Sequence, residues 1–383
     1  MGIVVTTIVS ILFAFQAVAL LVLIARLLPG RRRRPPVDPL DFEIDDTTVS
    51  VVVATLNEAK RIGPCLDGLR MQGKPLLETL IVDSRSTDGT RELVEAAARV
   101  DPRVRLLTDD PLPRGWVGKV WALEHGLHAA RGEWVLGVDA DTEPVPGMVA
   151  AVVAAARASN YSVVSFSPKF TGQSAAEQFV QPALLLTLVY RGGAVGSDPD
   201  PERVIANGQC FLARRDVLLR HGGYQPASAS FADDVTLARH LARKGERVGF
   251  LDGSRLYRVR SYESVGEMWR EWGRSLDLKN ATSPVRQWLD VAFLIAVQGL
   301  PLLILIALGT IALTSSLTEA SQRLAILNGV LVAIHVLLLV PLSKSYHRPG
   351  WTFWLSPLAD PLAAARIVIS TIRRERTWRG REY

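Results

Sequence analysis

The sequence predicts an α/β domain with a mostly parallel sheet and flanking helices, set between apolar helices at both ends of the chain. Three observations predict it. From residue 48 onward, strand-like apolar runs alternate with helical patterns, the signature of parallel strands joined by right-handed crossovers. Hydrophobic residues make up 48% of the 383-residue chain, gather at its two ends, and carry the mean hydropathy to +0.18. The chemistry-bearing side chains follow the strands, at the sheet edge where α/β folds bind ligands.

The first element is residues 3–25, which carry no charge. At about 1.5 Å per residue this run reaches about 35 Å, enough to cross a bilayer. Arg26 can snorkel at its boundary. No basic stretch precedes the run and no small-residue cleavage site follows, which disfavours a removed signal peptide. Arg31, Arg32, Arg33 and Arg34 follow at once and predict that this side is cytoplasmic, with the N-terminus outside. Residues 35–47 read as a Pro- and acid-rich linker.

Next come a buried strand at 49–54, the segment Thr55-Leu56-Asn57-Glu58, and a helix through about residue 71. A strand at 79–83 leads to a helix over 88–100 with Asp88 as its N-cap. A strand at 104–107, a helix near 120–130 and a strand at 134–138 continue the series. No Gly-x-Gly-x-x-Gly or Walker loop appears, which argues against a standard dinucleotide or P-loop site. After a strand at 163–167, residues 174–190 read as a helix with an almost wholly apolar second half, either a core helix or one lying on a membrane. The stretch 191–201 reads as a mobile loop, and a helix at 235–244 is ended by Gly245.

Residues 288–313 and 324–342 form two further candidate spans. The loop between them, 314–323, holds one cation, whereas Lys344, His347 and Arg348 follow the second span, so the pair reads as an in–out–in hairpin. Residues 351–372 contain Pro357, Asp360, Pro361 and Arg366. Crossing would carry Arg373, Arg374, Arg376, Arg379 and Arg381 outside, so this piece reads as interfacial or re-entrant, with a full span as the alternative. The expected organisation is a transmembrane helix at 1–30, a linker at 31–47, a catalytic domain at 48–283, a transmembrane hairpin at 284–345, and an interfacial helix with a basic tail at 346–383. The catalytic domain then faces the cytosol.

The net charge of +6 is mostly these flanking arginines, which serve topology and anionic-lipid contact better than nucleic-acid binding. Two cysteines, Cys65 and Cys210, are too few for a disulfide framework and suit a reducing compartment. The six histidines form no metal set; His125 and His128 read as helix surface residues.

The most informative stretch is Asp139-Ala140-Asp141, directly after the strand at 134–138. Residues i and i+2 of a strand point the same way, so two hard oxygen ligands face one side, as a divalent cation gripping a diphosphate requires. Asp233-Asp234 opens the helix that follows it, where the helix dipole favours ionised carboxylates; a plain N-cap is the other reading. Lys119 opens the helix near 120–130 and is either a diphosphate contact or a solvated helix residue.

With Asp83-Ser84-Arg85-Ser86-Thr87-Asp88-Gly89-Thr90, Gly115-Trp116-Val117-Gly118-Lys119 and Asn207-Gly208-Gln209, these motifs resemble the family 2 glycosyltransferases of GT-A fold, over roughly residues 48–252. The resemblance implies a nucleotide-sugar donor, a Mg2+ or Mn2+ cofactor and inversion at the anomeric carbon. It implies that Thr55, Asn57, Glu58 and Asp83 cradle the nucleotide and that Lys119 lies near the diphosphate. Asp139 and Asp141 would hold the metal against the diphosphate, Asp141 as the more direct ligand, and Asp234, with Asp233 beside it, would be the catalytic base. Two departures stand out: Ser84-Arg85 replaces an Asp-Gly turn, and Asp233 replaces a Glu.

The Gln-x-x-Arg-Trp motif of processive synthases is absent, which argues for adding one sugar. Arg270-Glu271-Trp272-Gly273-Arg274 stands in its place, as a diphosphate or acceptor contact or, through Trp269 and Trp272, as an interfacial anchor. The layout further resembles a membrane-bound subgroup acting on carotenoids and related terpenoid lipids, including a tail Thr377-Trp378-Arg379-Gly380-Arg381-Glu382-Tyr383. The implied acceptor is a carotenoid hydroxyl, with a hopanoid or polyprenyl phosphate as the alternative. A chain that binds nucleotide-sugars without catalysis is the competing class.

Overall fold

The computed structural model describes residues 2–382 apart from 42, 43, 173, 197–199, 261, 374–376, 379 and 380, with backbone alone for 2–5, 377, 378, 381 and 382. The chain forms two compact units. One contains residues 33–171, 195–260 and 375–383; the other contains 1–32, 172–194 and 261–374.

The first unit is built on a seven-stranded sheet. In chain order its strands and those of a small second sheet are β1 (Val49–Thr55), β2 (Leu76–Asp83), β3 (Val104–Thr108), β4 (Trp134–Val138), β5 (Thr142–Pro144), β6 (Val163–Ser167), β7 (Lys169–Phe170), β8 (Cys210–Arg214), β9 (Val248–Asp252) and β10 (Tyr257–Val259). The large sheet runs β3-β2-β1-β4-β8-β6-β9, and β5-β10-β7 form the small one. β3, β2, β1 and β4 are parallel, whereas β8 runs antiparallel to both β4 and β6.

β1 shows why the centre is buried on both faces. Its sequence Val-Ser-Val-Val-Val-Ala-Thr is rich in β-branched side chains, which suit a pleated surface and alternate between its faces. Val51 and Val53 pack with Ile62, Leu69, Val149 and Val153. Val52 faces the other way, into Val120, Leu123, Leu127, Leu237 and Leu241. Each such side chain stabilises the fold by about 1.5–3 kcal/mol. Gly126 lets the helix Gly118–Ala129 approach closely, since a Cβ there would stand 2.3 Å from Val52 Cγ1. Register keeps the strand ends level: Thr55 lies opposite Asp83, and Asp83 opposite Thr108.

Two local expectations change. The helix after β2 is Thr90–Val100, and its N-cap is Gly89 at φ 97° rather than Asp88. Asp139-Ala140-Asp141 lies in the turn between β4 and β5, closed by Thr142 N donating to the Asp139 carbonyl at 3.2 Å. Strand alternation therefore does not orient the two acids; the turn does.

The second unit gathers the apolar helices. Gly2–Leu27 and Glu319–Ser343 belong to the two helices long and apolar enough to cross a membrane. Ile8, Ile11, Val18 and Leu21 are exposed along the first, the expected finish for a lipid-facing surface. Gln16 joins the two helices: its Nε2 donates to Asn328 Oδ1 at 2.9 Å and to the Ala296 carbonyl at 2.8 Å. The candidate span at 288–313 is a bent pair, Pro284–Gly299 and Pro301–Ala312, meeting at 44°. A π-turn at Ile295–Gly299 and the missing N–H of Pro301 account for the bend.

Residues 351–372 are broken into Trp351–Trp354, Ser356–Ala359 and Asp360–Ile372, and none is among the helices long and apolar enough to span. Asp360 is buried, with Gln298 Nε2 at 2.8 Å and His335 Nδ1 at 2.6 Å. The helix Ala175–Gly192, capped by Ser174 Oγ accepting from Glu177 N, is a core helix of this unit: Ala183, Leu184, Leu186 and Tyr190 are buried. Val265–Leu276 belongs to the same unit, where Trp272 packs beside Met268 and Leu276. Trp272 is therefore no exposed anchor, and Trp269 lies under the Arg366 guanidinium, 5.4 Å from its ring centre. Both helices had been expected within a domain spanning 48–283. Their apolar faces bury instead among the apolar helices. The tail backbone pairs Thr377–Trp378 with Arg381–Glu382, whereas Arg374, Arg376, Arg379, Gly380 and Tyr383, and 197–199 of the expected loop, lie outside the described residues.

At the opposite end of the strands from the acidic turn, Glu78 is buried and accepts from Ser50 Oγ at 2.8 Å, Arg105 Nη1 at 2.7 Å and Arg131 Nε at 3.0 Å. Burial alone would raise its pKa, but the Arg131 and Arg105 hydrogen bonds and the Ser50 hydroxyl win and hold it at about 2. The folded value is below the unfolded one, so this stabilisation is complete above pH about 4.5 and is lost as pH falls toward 2. Glu78→Gln should flatten that part of the melting-temperature profile. An identical acid-side slope in variant and parent would refute the assignment.

Candidate active site

Two segments meet at the C-terminal ends of β1 and β2, tied by short polar side chains. Thr55 Oγ1 lies 3.3 Å from Asp83 Oδ1, and both residues are fully buried. Ser86 Oγ donates to Asp83 Oδ1 at 2.5 Å and accepts from Asn57 N at 2.8 Å. Asn57, in the left-handed region at φ 56°, returns a bond through Oδ1 to Thr87 N at 2.9 Å. Thr90 Oγ1 accepts from Glu58 N at 2.8 Å, and Asp88 accepts from Ala59 N at 2.9 Å. Asp88 thus ties two loops together where the sequence suggested a helix cap.

The departure at Ser84-Arg85 has a structural account. Ser84 Oγ donates to Asp109 Oδ2 at 2.7 Å, and both are buried. Arg85, at φ 65°, turns outward to Asp110, 3.1 Å away. The turn closes through charge and hydroxyl contacts where a glycine would close it by conformational freedom.

The acidic turn after β4 meets the start of two helices through one cation. Lys119 stands in the first turn of Gly118–Ala129, and its Nζ lies 2.9 Å from Asp139 Oδ1. Enclosure works against the ammonium, yet Asp139, Asp233 and Asp234 together overcome it and raise its pKa, so Lys119 is charged. The helix Asp233–Arg243 begins with both aspartates, and its N-cap is Ala232. Asp234 is therefore not the plain cap: its Oδ2 accepts from Gly208 N at 2.7 Å and its Oδ1 from Val235 N at 2.7 Å.

Asp234 keeps partial solvent exposure while protein closely surrounds it. That enclosure, then repulsion from buried Asp233, push its pKa up to about 7 against the pull of Lys119 and the two amides. Gly208, which the sequence marked only as part of a motif, sits at the centre of this cluster. A Cβ there would stand 3.2 Å from Lys119 Nζ and 3.7 Å from Asp234 Oδ2. The density of Ser, Thr and Asp in 83–90 was the signal for the tethers Ser86, Asp88 and Thr90. No comparable signal marked Gly208, whose role depends on a contact across the fold.

The cysteine beneath the turn is fully buried. Burial pushes the Cys65 thiol up to about 12, and the nearby Asp141 and Asp139 charges add to the effect. His128 is surface-exposed but pairs with Glu124 at 3.1 Å. Among the described residues no group of three or more His, Cys, Asp or Glu gathers as a metal cage. Asp139 and Asp141, two residues apart in one turn, carry hard oxygen donors of the kind that Mg2+ and Mn2+ take together with diphosphate oxygens and water. Sequence reasoning thus named residues that the fold collects into two neighbourhoods: Thr55, Asn57, Glu58 and Asp83 at the ends of β1 and β2, and Lys119, Asp139, Asp233 and Asp234 around one ammonium.

Residues 50–221 match the model of glycosyl transferase family 2. The succinoglycan biosynthesis protein ExoA of Rhizobium meliloti (strain 1021) is 28% identical over 239 residues, 60% of this chain and 69% of that protein. A dolichyl-phosphate beta-glucosyltransferase of Trichomonas vaginalis is 35% identical over 111 residues, and the match spans 27% of this chain and only 32% of that protein. Among solved structures, mannosyltransferase PcManGT from Pyrobaculum calidifontis in complex with GDP-Man and Mn2+ shares the fold, with a TM-score of 0.56 and 22% identity over 96% of this chain and 100% of that one.

Removing the ammonium gives a direct check on the cluster. Lys119→Met should drive the Asp234 pKa above about 7, because the attraction opposing Asp233 disappears. Carboxyl-labelled aspartate NMR or infrared titration reads this, and a lowered value would refute the shared-cation geometry.

Proposed function

We propose that this chain, whose residues 50–221 match the glycosyl transferase family 2 model, moves one sugar from a nucleotide-sugar donor to a hydroxyl of a lipid-like acceptor. The observation that carries the reading is the Asp234 carboxylate, held by the Gly208 amide and electrostatically joined through Lys119 to the acidic turn at Asp139. Thr55, Asn57, Glu58 and Asp83 take the nucleoside, and the Lys119 ammonium sits where a diphosphate would need positive charge. Asp139 and Asp141 would hold Mg2+ or Mn2+, which offsets charge developing on the leaving diphosphate.

Asp234 accepts the acceptor hydroxyl proton as that oxygen bonds to the anomeric carbon. The sugar–phosphate bond breaks in the same displacement, and the electron pair leaves with the nucleoside diphosphate. Attack from the face opposite the leaving group inverts the anomeric centre. Asp233 serves this step indirectly, since its charge keeps the Asp234 proton affinity high.

The acceptor we propose is a hydroxylated carotenoid. Supporting this are Gly115-Trp116-Val117-Gly118-Lys119, Asn207-Gly208-Gln209-Cys210-Phe211 and the two apolar helices that suit a membrane-resident substrate. A polyprenyl phosphate is the second reading, favoured by the likeness to a dolichyl-phosphate beta-glucosyltransferase. With Arg31, Arg32, Arg33 and Arg34 on the cytoplasmic side, the catalytic unit faces the cytosol. Incubating the purified protein with labelled nucleotide-sugars and either a pigment extract or a polyprenyl phosphate separates these acceptors. Label confined to a non-carotenoid lipid would reject the carotenoid.

Asp234→Asn should keep donor affinity while transfer falls about 10²–10⁴-fold. The base must be ionised, so kcat/KM in the parent should rise with pH through about 7, and that limb should vanish in the variant. Joint loss of donor binding and transfer would show a structural role instead. Asp141→Ala should lower metal-dependent turnover about 10²–10³-fold; an unaltered Mg2+ or Mn2+ titration would reject Asp141 as a ligand.

A further inference from the structure

In one place in the apolar-helix unit two buried arginines share a carboxylate. Arg26, in the last turn of Gly2–Leu27, was expected to snorkel into water, yet its side chain is only 12% exposed. Its guanidinium lies over the Phe293 ring, 4.2 Å from the centre, with Nη1 donating to the Tyr190 carbonyl at 3.1 Å and Nη2 to Asp290 Oδ1 at 3.4 Å. Arg191, in the last turn of Ala175–Gly192, is 5% exposed, and its Nε stands 3.7 Å from the other oxygen of the same Asp290. The Arg191 Nη1 is buried without a hydrogen-bond partner among the described residues. Asp277 also acts on Arg191, but it is itself paired with Lys279 at 3.2 Å. Among the described residues, Arg191 thus keeps one buried guanidinium edge unsatisfied beside a carboxylate it shares with Arg26.

Leaving a buried guanidinium bond unmade is costly, and an anion accepting it removes that cost. Planar guanidinium groups match phosphate oxygens in two-bond geometry. Both arginines end their helices, and Arg26 is followed by Arg31, Arg32, Arg33 and Arg34, where the apolar run gives way to the cytoplasmic side. We infer that Arg26 and Arg191, set against the single carboxylate of Asp290, form a binding site for a phosphate group, carried by an amphiphile at the membrane boundary or free in solution. The site uses no residue of the donor pocket and stands independently of the sugar-transfer reading.

The test is a thermal-shift titration of the full chain in neutral detergent. The probes are dihexanoylphosphatidylglycerol, farnesyl monophosphate and inorganic phosphate, with dihexanoylglycerol as the uncharged control. At least one phosphate probe should raise the melting temperature while the control does not. Arg191→Gln should weaken the apparent affinity about tenfold or more, as loss of a charge-assisted phosphate contact does. Asp290→Asn should strengthen it, because the competing carboxylate is gone while its shape remains.

These opposite signs separate binding from damage to packing, which would weaken both variants alike. If Arg191→Gln does not fold, Arg191→Lys and Asp290→Asn carry the test. Inorganic phosphate acting as well as the amphiphiles supports the site with free phosphate as its source, and preference for either amphiphile supports it and names that carrier. No response to any phosphate probe, or affinity unmoved or weakened by Asp290→Asn, overturns the inference.

Discussion

A single ammonium shared among carboxylates sets the character of the sheet-built unit. Lys119 lies 2.9 Å from Asp139, and the charges of Asp233 and Asp234 also act on it. Without that cation, three acids would be crowded into a region of low dielectric, where like charges repel strongly and one or more would take up protons. Gly208 suits the arrangement, because its amide binds the Asp234 carboxylate and a Cβ there would press on the ammonium at 3.2 Å. The site is therefore electrostatically poised by backbone geometry as much as by charged side chains.

The same unit shows how a parallel sheet delivers chemistry to one edge. Level strand ends bring Thr55 opposite Asp83, and loops that follow each strand then compete for the same space. Ser86, Asp88, Thr90 and Asn57 settle that competition by exchanging hydrogen bonds across the loops. Each such bond contributes about 0.5–1.5 kcal/mol net, and together they hold Asn57 in the left-handed conformation, which Asn tolerates better than most residues.

The apolar-helix unit solves a different problem with polar groups. Gln16 with Asn328, and Gln298 with Asp360 and His335, place hydrogen bonds inside otherwise apolar packing. Those bonds specify which helix faces meet, a task that uniform aliphatic surfaces perform poorly. The π-turn at Ile295–Gly299 contributes by presenting both Gln298 and the Ala296 carbonyl as partners. Arg26, Arg191 and Asp290 extend the pattern to full charges.

Local signals made much of the protein legible in the sequence. β4 and β6 lie at the predicted residues, since short β-branched and apolar runs bounded by polar turns encode strands locally. The uncharged run at the start of the chain announced a membrane-length helix for the same reason. The resemblance singled out Asp139, Asp141, Lys119 and Asp234, and the fold sets Lys119 beside Asp139 and Asp234 against the Gly208 amide. Tertiary structure alone decided what depends on contacts between distant segments. It turned Asp88 from a cap into a loop tether, withdrew Arg26 from water, bent the helix at Pro301 and moved Trp272 from an expected surface to a core. It also placed Gly208 against Lys119 and Asp234. Periodicity and residue type report a segment's own preferences, whereas burial, charge partners and close approach are set by neighbours that sequence order does not reveal.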